Sequence, residues 1–102
     1  MADLYWLTFR LEKNGSWQRR YDALKSTISD CTTGGKWWVE PTSFILFRSE
    51  VAIGDIAALI SDAIDTNTDV ALLAMTDYKS ARVIGTVRDA DLFSLWPDAK
   101  RA

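Results

Sequence analysis

The residues best suited to hold a ligand are two adjacent tryptophans, Trp37 and Trp38, and two arginines set in apolar stretches, Arg10 and Arg48. An exposed indole can stack a nucleobase and an arginine can meet a phosphate, so the four offer a surface for single-stranded nucleic acid or another anion. A structural reading competes with this one. Adjacent residues of a strand point to opposite faces, so one tryptophan can join a core and the other an interface. Arg10 can likewise pair with a carboxylate such as Glu40 or Glu50.

Chemistry beyond binding finds little support. The chain has no His, which excludes Ser-His-Asp and Cys-His nucleophile systems and the usual zinc sites. Its one cysteine, Cys31, lacks a His neighbour to activate it and reads as a small apolar residue closing a helix. The acidic residues are scattered along polar faces, with no closely spaced pair for general acid/base work. Gly34-Gly35 precedes a strand rather than opening a helix, so it reads as a turn and not as a phosphate-binding loop. No catalytic residue, metal ligand or cofactor site is expected.

Charge and length narrow the partners further. A formal net charge of -2 gives no long-range attraction for nucleic acid or anionic lipid. The adjacent basic pairs Arg19-Arg20 and Lys100-Arg101 read as solvated positions. No apolar run approaches the ~20 residues of a membrane span, and no charged-then-apolar leader opens the sequence. With a single cysteine, a reducing cytoplasm is the expected location. A chain of 102 residues fits one domain.

The elements that must position these residues follow from periodicity. Leu4 to Leu11 predicts a strand, with Tyr5, Leu7, Phe9 and Leu11 on one face and Trp6, Thr8 and Arg10 on the other. Ser16 is the expected N-cap of a helix from Trp17 to Cys31, whose apolar stripe is Trp17, Tyr21, Leu24, Ile28 and Cys31. Lys36 to Glu40 and Ser43 to Arg48 read as a strand pair joined at Pro41-Thr42. A second helix spans Ile53 to Ile64, burying Ile56, Leu59, Ile60, Ala63 and Ile64. Val70 to Met75 reads as a strand buried on both faces.

The resulting order is β-α-β-β-α-β, which predicts an α+β, ferredoxin-like sandwich with both helices on one side of an antiparallel sheet. Its core is residues 4–76. Residues 77–102 form an extension with room for a short fifth strand at Arg82 to Val87 and a helical turn at Asp89 to Trp96.

Such a layout leaves one sheet face open, and here that face is apolar. Trp6 and Thr8 lie on it, and on the third strand one large apolar pair, Phe44 with Leu46 or Ile45 with Phe47, must also face out. Contiguous apolar surface marks a contact site, and a twofold homodimer covers it most simply. Trp6, Thr8, Phe44 and Leu46 are then the interface, with a dimer-crossing strand available from the extension. In the alternative, Leu92, Phe93, Leu95 and Trp96 fold back over the face within one chain. The segment Ser43-Phe44-Ile45-Leu46-Phe47-Arg48 lacks the glycine-rich basic-aromatic pattern of RNA-recognition modules.

Three stretches carry a family resemblance. Tyr5-Trp6-Leu7-Thr8-Phe9-Arg10-Leu11 looks like an opening strand ending in Tyr-Asp-Leu, and Tyr21-Asp22-Ala23-Leu24 like a Tyr-x-x-Leu helix. The third runs from Trp37-Trp38 through Thr42-Ser43-Phe44-Ile45-Leu46 and Asp55-Ile56 to Asp69-Val70-Ala71-Leu72-Leu73. In this the chain resembles the SinR-like branch of the superfamily of small CRISPR-associated adaptation nucleases and VapD-like proteins. The resemblance implies the fold and the dimer, and the apolar open face with the absent metal ligand adds the expectation of an accessory or regulatory role. Nuclease members place a metal-holding Asp where this chain has Arg10, and an arginine cannot ligate a cation. Glu12 would have to substitute if a metal-dependent nuclease with displaced ligands were to survive.

Overall fold

The computed structural model describes residues 2–77 and 79–102. In chain order its elements are β1 (Asp3–Arg10), α1 (Trp17–Cys31), β2 (Trp37–Trp38), β3 (Phe44–Ser49), α2 (Ile53–Ala63), β4 (Val70–Met75), β5 (Ala81–Gly85), α3 (Asp91–Leu95) and β6 (Ala99–Arg101). They form a small α+β domain around one mixed sheet. The strand order is β2-β3-β1-β4-β5-β6, with β1 central and antiparallel to both β3 and β4.

The alternation read along β1 is what builds the core. Tyr5, Leu7 and Phe9 are buried on the face covered by α1 and α2, together with Ile45 and Phe47 of β3 and Ala71 and Leu73 of β4. Register places Tyr5 opposite Phe47, and their rings stack with centroids 5.5 Å apart. The helices contribute Leu24 and Ile28 from α1, and Ile56 and Ile60 from α2. Val51 accepts the Tyr5 hydroxyl at its carbonyl, 3.1 Å away, so this buried phenol is satisfied.

Several expectations need correction. The α2 stripe rests on Ile56, Ala57, Ile60 and Ile64, while Leu59 is 45% exposed. Leu59 lies about 100° round the helix from the centre of that stripe, so it flanks the contact. Ser16 does occupy the N-cap of α1, but its hydroxyl makes no capping bond to the backbone. It bonds Asn14 and Arg20 instead. Arg20 is not solvated. It sits four residues before Leu24 on the inner face of α1 and is 6% exposed.

The largest departure lies at the C-terminal end. The expectation is a four-stranded antiparallel sheet with room for a short fifth strand at Arg82 to Val87; β5 lies at Ala81–Gly85, and β6, which nothing in the sequence announces, runs parallel to it as a sixth strand. The crossover between them, α3, lies on the sheet face opposite α1 and α2. There Leu92, Phe93 and Trp96 pack around Ala74, Ala81, Val83 and Ala99, with Trp6 and Leu72 alongside. The extension therefore covers the β4–β6 half of the second face within its own chain.

Candidate functional site

The β1–β3–β2 half of that second face is where the sequence-predicted residues gather. Trp6, Thr8 and Arg10 project from β1, and Phe44, Leu46 and Arg48 from β3, with Trp6 opposite Leu46 and Thr8 opposite Phe44. The four expected interface residues Trp6, Thr8, Phe44 and Leu46 are thus neighbours, each half-buried. Their rings continue into a row across the sheet. Trp38 meets Phe44 edge-on at 5.9 Å, Phe44 stacks with Trp6 at 6.0 Å, and Trp6 meets Trp96 at 5.8 Å. Because Phe44 and Trp6 lie near-parallel at 17°, these two rings cover each other's faces, whereas Trp38 is turned 69° from Phe44. The Phe44–Trp6 pair thus suits packing against another apolar surface better than intercalating bases.

The two tryptophans separate as alternation demands. Trp37 is half-buried against the helix-side core, and Trp38 is 46% exposed on the second face. The Trp38 indole N–H donates to Glu40 Oε1 at 3.3 Å. Beside them a cleft of about 530 Å³ opens at the β2 edge, lined by Lys36, Arg48, Thr33, Gly34, Leu4 and both tryptophans. Among the described residues neither Lys36 nor Arg48 forms an ion pair. The cleft forms because β2 is only two residues long and is reached through Gly34 and Gly35, both at left-handed φ (83° and 71°).

Arg10 and Arg48 do not belong to one site. Arg48 pairs with Leu4 near the start of β1, whereas Arg10 ends the strand, a separation of about 20 Å at the usual strand rise. Arg10 pairs with neither Glu40 nor Glu50. Its Nη1 donates to Glu12 Oε2 at 3.4 Å and to the Thr68 carbonyl at 3.3 Å. Arg88 reaches the same Glu12 oxygen at 3.1 Å, so this carboxylate already serves two guanidinium groups. Among the described residues no group of three or more His, Cys, Asp or Glu is placed to hold a metal ion.

The most polar buried spot was missed by the sequence reading. Asp69 is fully buried and pairs with Arg20. Its carboxylate accepts the backbone N–H of Glu12 at 2.8 Å and of Asp65 at 2.9 Å, and the Thr68 hydroxyl at 3.3 Å. Arg20 in turn donates to Ser16 Oγ, the Glu12 carbonyl and Asn14 Oδ1. Burial alone would push the Asp69 carboxyl up; the two backbone N–H donors and the Arg20 guanidinium outweigh it and hold the group below its ordinary value of 3.8. An inaccessible carboxylate held ionised in this way is a clamp between the β1–α1 loop, α1 and the α2–β4 loop, not an acid or base. Its signal in the sequence was the spacing of Arg20, Leu24 and Ile28, which places the three on one helical face.

Cys31 is buried, and burial together with Asp30 raises its thiol pKa, which disfavours the reactive thiolate. No protein-family model, curated protein or solved structure matches this chain.

Proposed function

We propose that the chain is a non-catalytic binding module that pairs with a second copy through the half of its sheet left uncovered by α3. The observation that carries this reading is the aromatic and aliphatic patch of Trp6, Phe44, Leu46 and Trp38, which remains partly open beside Thr8. Wet apolar area costs roughly 25 cal/mol per Å², and a self-complementary twofold contact removes it from both copies at once. The order β2-β3-β1-β4 within the larger sheet supports describing the core as ferredoxin-like, with β5, α3 and β6 as an addition.

The SinR-like resemblance is a proposal of the same standing. It fits an accessory or regulatory partner of another protein, the single cysteine fits a reducing cytoplasm, and Arg10 at the metal position speaks against cleavage. The engagement of Glu12 with Arg10 and Arg88 points the same way, because a displaced-ligand nuclease would need that carboxylate.

Sedimentation equilibrium at micromolar concentration tests the pairing. The expected mass is twice the 11.5 kDa of one chain, and Thr8→Arg, which sets an unpaired charge in the patch, is expected to return it to the single-chain value. A wild-type mass of 11.5 kDa would overturn the reading.

A further inference from the structure

From the cleft at the β2 edge we infer a second binding site, for a ligand that joins a nucleobase to a phosphate. This goes beyond pairing of the sheet face and turns on two side chains that the pairing does not use, Lys36 and Arg48, with Trp38 and Leu46 at the border of both surfaces. Three observations combine. First, the chain is net acidic, yet the charged side chains lining this cleft are both cationic, Lys36 and Arg48. Second, both are exposed, and among the described residues neither meets a carboxylate. Unlike Arg10 and Arg88, which share Glu12, these two keep their charge available to an anion, and they do so on the wall of one cleft. Third, the cleft wall includes Trp38, the most exposed tryptophan of the chain.

The chemistry of these groups defines the ligand. The edge-on contact with Phe44 at 69° occupies at most one side of the Trp38 indole, and the N–H bond to Glu40 fixes the ring in its plane. An indole fixed with an open side stacks a planar heterocycle. Lys36 supplies a point charge and Arg48 a planar fork, which together suit a multiply charged oxyanion such as a phosphate. A volume of about 530 Å³ falls within the range of small-ligand sites and exceeds what a lone inorganic ion would fill. The Thr33 hydroxyl accepts the Glu50 N–H at 3.1 Å, which leaves its proton to donate into the cleft.

The base and phosphate can come from a free nucleotide or from a single strand, and titration separates the two. Tryptophan fluorescence is followed on adding AMP in one arm and a thymidine oligonucleotide in the other, with inorganic phosphate as a third probe. Saturable quenching by AMP or by the oligonucleotide is expected, weakening about tenfold or more in Lys36→Ala/Arg48→Ala. Saturation by AMP identifies a free nucleotide as sufficient. Quenching by the oligonucleotide alone, weakening steeply with added salt, identifies the strand.

The inference is overturned if neither probe quenches, or if the double variant binds as well as the wild type. Saturation by inorganic phosphate at the same concentration as AMP overturns the base contact. Both substituted positions are exposed, so the fold is expected to persist, which circular dichroism checks. The same variant leaves Trp6, Thr8 and Phe44 intact, so its sedimentation mass reports on pairing independently of ligand binding.

Discussion

Arg20 donates to Ser16, Asn14, Glu12 and Asp69, and Asp69 in turn accepts from two loops, so each residue satisfies groups the other cannot reach. Removing one partner leaves a buried charge and stranded backbone donors. Asp69→Ala is therefore expected to lower unfolding free energy in urea by about 3–5 kcal/mol; a loss below about 1 kcal/mol would mean the clamp does not hold the loops. The same geometry sets a pH dependence. The folded-state pKa of Asp69 is depressed, so its contribution is fully present above the unfolded value near 3.8 and is lost as pH falls through the folded value. Urea midpoints measured between about pH 6 and about pH 2 are expected to fall more in the wild type than in Asp69→Asn. Gly85 lies against the same residue: at φ 95° it packs on the Asp69 carbonyl, where any Cβ would collide.

At the scale of elements, α3 decides how much apolar sheet is left for partners. Leu92 and Phe93 hold it on Val83 and Ala99, and Arg101 lies over the Phe93 ring at 4.7 Å. Leu92→Ala/Phe93→Ala is expected to cost about 1–3 kcal/mol in urea unfolding and to raise binding of a hydrophobic dye. Unchanged stability and dye binding would show that the helix is not docked.

The elements also show what was legible beforehand. The alternation of Tyr5, Leu7 and Phe9 against Trp6, Thr8 and Arg10 could be read directly, because a half-buried strand writes its two faces into successive residues. Arg20 could not be read from its type. A charge is assigned to solvent unless a partner is visible, and Asp69 is 49 residues away. The strand Ala99–Arg101 carries no strand signature of its own; its extended backbone comes from pairing with Ala81, Arg82 and Val83. The aromatic row likewise needed the register of β1 against β3 before its members could be seen as neighbours. The cleft needed the same placement, since Lys36, Trp38 and Arg48 meet across β2 and β3 only once the strands are paired.

For the whole molecule, Cys31 offers a built-in reporter. Its thiol is buried at the end of α1, and the Cys31 carbonyl accepts the Ser49 hydroxyl from β3, so exposing it requires α1 to leave the sheet. Alkylation by iodoacetamide is expected to be slow in the folded protein and to rise with urea along the global unfolding curve. Rapid labelling under native conditions would mean that this end of the helix opens separately.

One boundary feature has a wider effect. The sheet ends at β2, two residues long, on one side and at β6, three residues with Lys100 and Arg101, on the other. Neither rim offers a run of free amide and carbonyl groups long enough to template a foreign strand, and the second rim adds repulsion between like charges. A protein with this much aromatic surface could otherwise polymerise rim to rim into fibres. Blunted rims leave the flat of the sheet as the surface open to association, and the pairing proposed above would end there after a single step.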